Sequence, residues 1–285
     1  MAIELATRYA PYVDELFSKE SKLSLLAGGD YDVIGDAFSG ANAVKIYKIS
    51  TAEMHDYGRR GAAEGNWSRY GEVKDLDATT ETLLIKKDRS FTFVIDKLDR
   101  METENQLEGA SALARQIREV VIPEIDVYAY GVLAEGAGNK PEAVTLTKDN
   151  IYEQILLATK ALDDALVPEE GRVLMVNPEV YRLMKLNPEI VMATDVSTED
   201  RKKGVIGTLD GAQVIKVPAS RLPEKFGFML SHPSAAVAPV KLEDYKLHEN
   251  PPGINGTLVE GRIAYDCFVF ENKANAIYYQ ETATA

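Results

Sequence analysis

The sequence predicts an α+β protein, in which strands come first, one long helix follows, and a mixed region leads back to strands. Residues 44–49, 81–87 and 90–95 show strand patterns, with partial alternation of apolar and polar side chains. From residue 98 onward the apolar side chains recur at spacings of three and four, which predicts a helix over 98–122. Residues 257–279 return to strand patterns, so the order of elements is typical of the α+β class.

Residues 1–43 are predicted to form an arm rather than a compact domain. Within them, apolar residues at helical spacing predict a short amphipathic helix over 5–17. Gly28-Gly29-Asp30 then breaks the chain, and the small residues of 31–42 predict extended or loop structure.

A long polar, glycine-rich stretch over residues 50–80 separates the first strand from the next two. Loops of this length are uncommon inside compact domains and usually have a function or make contacts elsewhere. This one carries a basic and aromatic set, the loop patch: Arg59, Arg60, Trp67, Arg69 and Tyr70. Nucleic-acid stacking, a solvated loop and a protein interface are all possible interpretations. We favour the interface, because these residue types are enriched at hot spots and would complement another copy of an acidic chain.

Local signals predict the elements that follow the long helix. Pro123 lacks a backbone N–H and is expected to kink or end that helix, with residues 124–133 continuing its axis. Thr147 is a favourable N-cap for a helix over 148–166. The remaining predictions are a strand over 172–176, a helix from Asn177-Pro178 to Leu186, a hairpin of 205–209 and 212–217 around Asp210-Gly211, and strands over 226–230 and 235–240.

The composition limits the classes of function. The chain has 285 residues, of which 45% are hydrophobic and 27% charged, so a folded protein with a sizeable core is expected. Its net charge of −13 disfavours tight, sequence-specific binding of nucleic acid but not the enclosure of nucleic acid. No apolar run is long enough to predict a membrane span. The single cysteine, Cys267, suits a reducing cytoplasm and is predicted to be a strand residue rather than a reactive thiol.

Patterns typical of catalysis are missing from the sequence. The three histidines lack the spacing of a zinc site, and neither a nucleophile-elbow nor a phosphate-loop motif occurs. We therefore expect no catalytic residue, no cofactor and no metal. Asp96, Asp99 and Glu102 are best explained by their position at a helix N-terminus, where carboxylates interact favourably with the dipole. A metal or acid–base cluster and inter-subunit salt bridges are the alternatives.

Several segments occur in an order that is typical of one family. They are 91–96 leading into Leu98-Asp99 and Glu102-Thr103, the helix end at Arg118, 123–126 and Tyr128, the segment 167–174 with Pro178 and Tyr181, the hairpin over 204–218, and the strands over 261–279. From about residue 40 onward, this order resembles the major capsid proteins of tailed bacteriophages, which have the Hong Kong 97-type fold.

The resemblance implies a division of the chain into four parts. Residues 1–43 would be an N-terminal arm, and residues 44–95 an extended β-hairpin loop that lies over a neighbouring subunit. A peripheral domain with a long spine helix would comprise 96–144 and 246–285. Residues 145–245 would form an axial domain.

The resemblance also implies a function and a set of partners. The chain would assemble with copies of itself into hexamers and pentamers of an icosahedral shell, together with scaffolding, portal or decoration proteins. The shell would enclose double-stranded DNA without sequence-specific binding, and it would be built in the bacterial cytoplasm and end as part of the virion. An encapsulin-type compartment shares the fold and is the first alternative, and a soluble enzyme with an unrecognised site is the second.

Overall fold

The computed structural model divides the chain into two compact units. The described residues are 20–28, 43–61, 67–73, 75, 77–102, 109–190 and 205–283. The hairpin unit spans Asp36–Ile85, and the body comprises Met1–Gly35 and Lys86–Ala285. The predicted helix over 5–17 and the predicted loop over 31–42 lie outside the described residues. Among the helices that are described, none has the length and apolar character needed to cross a bilayer.

The hairpin unit is a two-stranded antiparallel ribbon. Strand β1 (Ala43–Ile49) pairs with β2 (Ala78–Leu84) along its whole length. Where the strands end, the Ser50 backbone N–H donates to the Asp77 carbonyl oxygen over 2.9 Å, and the Asp77 N–H donates to the Ser50 hydroxyl oxygen over 3.0 Å. These two bonds close the ribbon, so the connection over residues 51–76 starts from a fixed base.

A three-stranded antiparallel sheet lies in the body, in the order β3-β10-β9. Its strands are β3 (Lys87–Asp96), β10 (Gly256–Tyr265) and β9 (Val240–Glu249). All ten residues of β3 pair with β10. The sequence predicted no strand over most of β9, because its charged side chains fall on both faces and hide the alternation of a half-buried strand.

Two predicted boundaries differ from the observed elements. The extended loop was predicted to end at residue 95, whereas the two units separate after residue 85, because β3 is paired within the body. The boundary predicted after residue 245 falls inside β9, which pairs continuously with β10 over that point.

A continuous helix over 109–136 passes through Pro123, so of the two predicted outcomes the end of the helix at this residue is wrong. This helix consists of α3 (Gly109–Gln116), a π-helical turn (Ile117–Val121) and α4 (Ile122–Gly136), and a short helix, α2 (Lys97–Glu102), precedes it in the sequence. A proline inside an α-helix leaves one carbonyl without its donor, and its ring presses on the preceding turn. The wider π-helical turn lies directly before Pro123, which then occupies an early position of α4 where its missing N–H costs nothing.

A mixed five-stranded sheet forms the other large element of the body, in the order β12-β7-β4-β6-β5. Strands β4 and β6 run parallel, and the other neighbours run antiparallel. The bounds are β4 Val173–Val176, β5 Val205–Leu209, β6 Ala212–Lys216, β7 Phe226–Ser231 and β12 Ile277–Glu281. The predicted hairpin is confirmed, since Asp210 and Gly211 have the positive φ values, 47° and 80°, that a type I′ turn requires.

Short elements connect these sheets. β8 (Ala236–Val237) and β11 (Phe268–Val269) form a two-residue antiparallel pair. Turns of 3₁₀ helix lie at Ala219–Arg221, Pro233–Ala235 and Glu271–Ala276.

Two helices accompany the five-stranded sheet. α6 (Pro178–Leu186) begins where the sequence predicts, and the Asn177 side chain accepts the Val180 N–H over 2.7 Å as its N-cap. α5 (Ile151–Asp164) begins three residues later than predicted. The reason is a turn before the helix, in which the Asn150 side chain accepts the Thr147 N–H over 2.8 Å.

A short N-terminal helix, α1 (Leu23–Leu26), is anchored in the core of the body. Leu26 is buried in the same apolar cluster as the inner face of α4. Nearby, Asp126 forms a buried ion pair with Arg221 at 2.7 Å and accepts a hydrogen bond from the Ser21 hydroxyl. Burial raises the pKa of Asp126, and the contacts with Ser21 and Arg221 oppose that rise.

Adjacent residues of α5 provide a test of its buried face. Ile155 is 2% exposed and Leu156 is 43% exposed. We expect Ile155→Ala to lower the free energy of unfolding by about 2–5 kcal/mol, because it leaves a cavity. Leu156→Ala should change it by about 0.5 kcal/mol or less. Denaturant unfolding followed by circular dichroism measures both, and equal losses would contradict the assigned face.

Candidate subunit interface

The loop patch lies on both limbs of the connection that the hairpin unit carries. The Gly58 N–H donates to the Arg69 carbonyl oxygen over 2.9 Å, and the Gly61 N–H donates to the Gly58 carbonyl oxygen over 3.2 Å. The second bond folds Arg59 and Arg60 into a turn, and the first holds that turn beside Arg69. The structure therefore brings together arginines that lie about ten positions apart in the sequence, and all three are exposed.

Ring contacts and a close backbone approach hold the two limbs together. The rings of Tyr57 and Tyr70 meet edge to face with centroids 5.0 Å apart, an arrangement that contributes about 0.5–1.5 kcal/mol beyond its buried area. Gly71 has φ +100°, and a Cβ at this position would lie 2.6 Å from the His55 ring. Only glycine fits this approach, so the second limb is shaped by the residues of the first.

Large apolar side chains of this connection lie in solvent. Trp67 and Tyr70 of the loop patch are 85% and 79% exposed. The sequence analysis missed three others, Met54, Tyr57 and Val73, which are 97%, 50% and 61% exposed. The sequence contained the signal for these three residues, because large apolar side chains in an otherwise polar stretch are not expected to be part of a core. One exposed apolar residue is ordinary, but several within one loop indicate a surface that contacts another molecule.

Several titratable side chains of the described residues have structural partners. No group of three or more His, Cys, Asp or Glu side chains within those ranges could hold a metal ion. His232 binds the Ser234 hydroxyl at 2.7 Å and the Glu170 carbonyl at 3.1 Å, so both of its ring nitrogens have structural partners. Asp96 accepts the Leu98 N–H over 2.8 Å at the start of α2, in agreement with the helix N-terminus interpretation of the acidic cluster.

A buried carboxylate, Asp266, also has a structural role. It accepts the backbone N–H groups of Lys86 and Cys267, each over 2.8 Å, and the Tyr128 hydroxyl over 2.7 Å. Burial and the neighbouring Asp266 raise the pKa of Tyr128. Asp266 thus connects Lys86, the first residue of the body after the hairpin unit, with Tyr128 of α4. Both of its carboxylate oxygens accept hydrogen bonds from these donors.

Solved structures with the same fold are numerous. A chain of Mycobacterium phage Che8 matches with a TM-score of 0.66 at 21% identity, covering 97% of this chain and 97% of that one. A chain from the capsid structure of the cyanophage P-SCSP1u gives 0.71 at 13% identity, covering 99% and 94%. A virus-like particle from Pyrococcus furiosus gives 0.50 at 13% identity, covering 85% and 86%. The sequence matches no protein-family model, and no curated protein matches it significantly.

These likenesses establish the fold over nearly the whole chain. The protein has the α+β, Hong Kong 97-type fold of tailed-phage capsid proteins, as the sequence predicts. The described elements include the helix over 109–136, the hairpin unit and the sheets of the body.

The state of Cys267 can be tested directly. The residue is 3% exposed, and burial, together with Asp266, raises the pKa of its thiol to about 12. The thiolate is the reactive form, so the folded protein at pH 8 should react with a thiol reagent on the order of 10³-fold more slowly than the unfolded chain. Labelling kinetics with and without denaturant measure this ratio. Equal rates would restore a reactive-thiol interpretation.

Proposed function

We propose that this chain is a major capsid protein, which self-assembles into the icosahedral head shell of a tailed double-stranded DNA bacteriophage. One observation carries the proposal: within a capsid fold, the hairpin unit holds Met54, Tyr57, Trp67, Tyr70 and Val73 in solvent. Apolar area left in water forgoes about 25 cal/mol per Å². A subunit that functions alone gains nothing from such a surface, whereas a neighbouring copy can bury it.

The loop patch is the part of this surface proposed to contact the neighbouring subunit. Arginine, tryptophan and tyrosine carry most of the energy at known interfaces, and the patch consists of these types alone. A two-stranded ribbon is marginally stable by itself, so a neighbour that covers it also stabilises its conformation. The net charge of −13 on the chain offers acidic partner surfaces for Arg59, Arg60 and Arg69.

The proposed partners follow from a shell of many copies. The subunits form hexamers and pentamers, with portal, scaffolding or decoration proteins completing the head. The acidic chain encloses double-stranded DNA without binding its sequence, since phosphate contacts need basic surfaces. The protein acts as part of the virion after assembly in the bacterial cytoplasm, and it has no catalytic role.

An encapsulin-type compartment is the second candidate, because the virus-like particle from Pyrococcus furiosus also matches the fold, with lower coverage than the phage structures. The two candidates differ in their contents. Particles purified with nuclease-protected double-stranded DNA support the phage capsid, and particles that hold folded cargo protein and no DNA support the compartment.

The single tryptophan makes assembly directly observable. Trp67 is the only tryptophan of the chain and is 85% exposed in the subunit. On assembly, its fluorescence emission should shift to shorter wavelength, and quenching by acrylamide should fall several-fold, because the ring becomes buried. Emission spectra before and after assembly measure this. Unchanged quenching in intact shells would show that Trp67 lies outside the contact.

Deleting residues 56–74 tests the loop as a whole. The body should stay folded, since it has its own cores, but shells should not close. Electron microscopy and sedimentation of the expressed protein measure closure, and circular dichroism measures folding. The point variant Trp67→Ala should reduce the assembled fraction, whereas Leu98→Ala, an exposed apolar residue of α2, serves as the matched control. Full assembly without residues 56–74 would refute the role of the loop.

A further inference from the structure

A basic aromatic surface lies along α6, from Tyr181 to Lys185 in its last turn, and includes Lys216 at the end of β6. The ammonium groups of Lys216 and Lys185 lie over the Tyr181 ring, 4.9 Å and 5.7 Å from its centroid. Within the described part of the chain, neither lysine forms an ion pair with a carboxylate. Two cations that share one ring repel each other, and no described acidic group compensates them. This surface, the lysine end, is suited to a negatively charged partner.

An acidic surface lies at the end of α5 and in the turn that follows. Asp163 and Asp164 occupy the last turn of the helix, which contains no basic residue, and Glu169 and Glu170 follow in an exposed turn. Carboxylates at a helix C-terminus interact unfavourably with the dipole, so this arrangement lowers the stability of the subunit. Sequences are expected to break such local rules at functional sites. This surface is the acidic end.

One cation compensates the acidic end only in part. The Arg172 guanidinium is buried and binds Asp163 at 2.7 Å. Its remaining contacts go to the carbonyl oxygens of Pro168, at 2.9 Å, and Val167, at 2.6 Å. Arg172 therefore shapes the turn from inside, whereas Asp164, Glu169 and Glu170 form no ion pair with any described residue.

Strand β4 separates the two surfaces. Arg172, at the acidic end, immediately precedes β4, and Asn177, at the start of α6, immediately follows it. The parallel strand β6 ends level with β4, with Lys216 paired to Val176. The acidic end therefore lies at the amino-terminal edge of these strands, and the lysine end at the carboxyl-terminal edge.

We propose that the lysine end of one subunit binds the acidic end of the next, as a head-to-tail contact within a ring of copies. The proposal rests on the proposed shell function and names a second contact, separate from the loop patch. The lysine end and the acidic end lie on different surfaces of the subunit. A two-fold symmetric contact through a single patch therefore cannot pair one with the other. They match in a heterologous contact, which closes into a ring when the rotation between copies permits.

Charge exchange tests this contact with the full chain. Lys185→Glu with Lys216→Glu, and separately Asp164→Lys with Glu169→Lys, should each reduce the fraction of protein in rings or shells by at least about tenfold, because like charges then meet. Combining all four substitutions should restore assembly to within about threefold of the unmodified chain, since attraction returns with reversed sign. Sedimentation velocity and negative-stain microscopy provide the measurement.

Lys148→Glu with Lys273→Glu is the control for net charge. It makes the same change in net charge, and Lys273 also lies over an aromatic ring, at 5.6 Å from Phe270. This control should assemble like the unmodified chain. Equal losses in the control and in Lys185→Glu with Lys216→Glu would overturn the contact and attribute the loss to net charge.

Asp164→Lys separates assembly from folding. The substitution places a cation at the C-terminus of α5, where it is favourable, so the melting temperature of the unassembled subunit should stay the same or rise. Assembly should nevertheless fall. Normal assembly of this variant and of both reversed pairs would overturn the contact alone, whereas an unmodified chain that stays monomeric would overturn the proposed function. If Lys185→Glu with Lys216→Glu assembles fully but retains less DNA, the lysine end binds nucleic acid and the contact is wrong.

Discussion

A two-stranded ribbon is marginally stable by itself, and this constraint underlies the proposed contact between the hairpin unit and a neighbouring copy. β1 and β2 satisfy each other's backbone groups along one edge, but Met54, Trp67 and Val73 of the connection between them are exposed. The tyrosine pair and the close contact of Gly71 with His55 give the connection a shape without giving it a core. In the proposed contact a neighbouring copy would bury Trp67 and Met54, and their burial would contribute free energy to assembly.

The body differs from the hairpin unit, because buried charges and close packing hold its elements in one arrangement. Two buried carboxylates have partners within the chain: Asp126 contacts Arg221 and Ser21, and Asp266 accepts three hydrogen bonds. A buried charge that loses its partner is strongly destabilising, so such pairs favour one arrangement of α4 relative to its surroundings. The close packing of Phe91 and Tyr245 around Gly261 acts similarly in the β3-β10-β9 sheet, since any larger side chain at 261 would collide with Phe91.

The parts of the fold that the sequence predicts are those with a local physical signal. The N-cap at Asn177 and the turn at Asp210-Gly211 depend on a few adjacent residues, and both lie where predicted. The predicted helix end at Pro123 is wrong because the outcome there depends on the π-helical turn before it, which no propensity encodes. β9 carries charges on both faces, and its strand structure comes from pairing with β10. For the candidate interface, residue type identified Trp67 and Tyr70, whereas the role of Tyr57 follows from its distance to Tyr70.

The two proposed contacts, through the hairpin unit and through the lysine and acidic ends, would contribute to assembly in different ways. An apolar surface such as that of the hairpin unit provides most of the free energy of association, but it discriminates weakly between orientations. Exposed ion pairs contribute only about 0–1 kcal/mol each, so the lysine and acidic ends cannot hold a shell together alone. Their value lies in direction, because an arrangement that brings two lysine ends or two acidic ends together is repulsive. In the proposed shell, the apolar contact of the hairpin unit would hold the copies together, and the charged contact between the lysine and acidic ends would set their orientation.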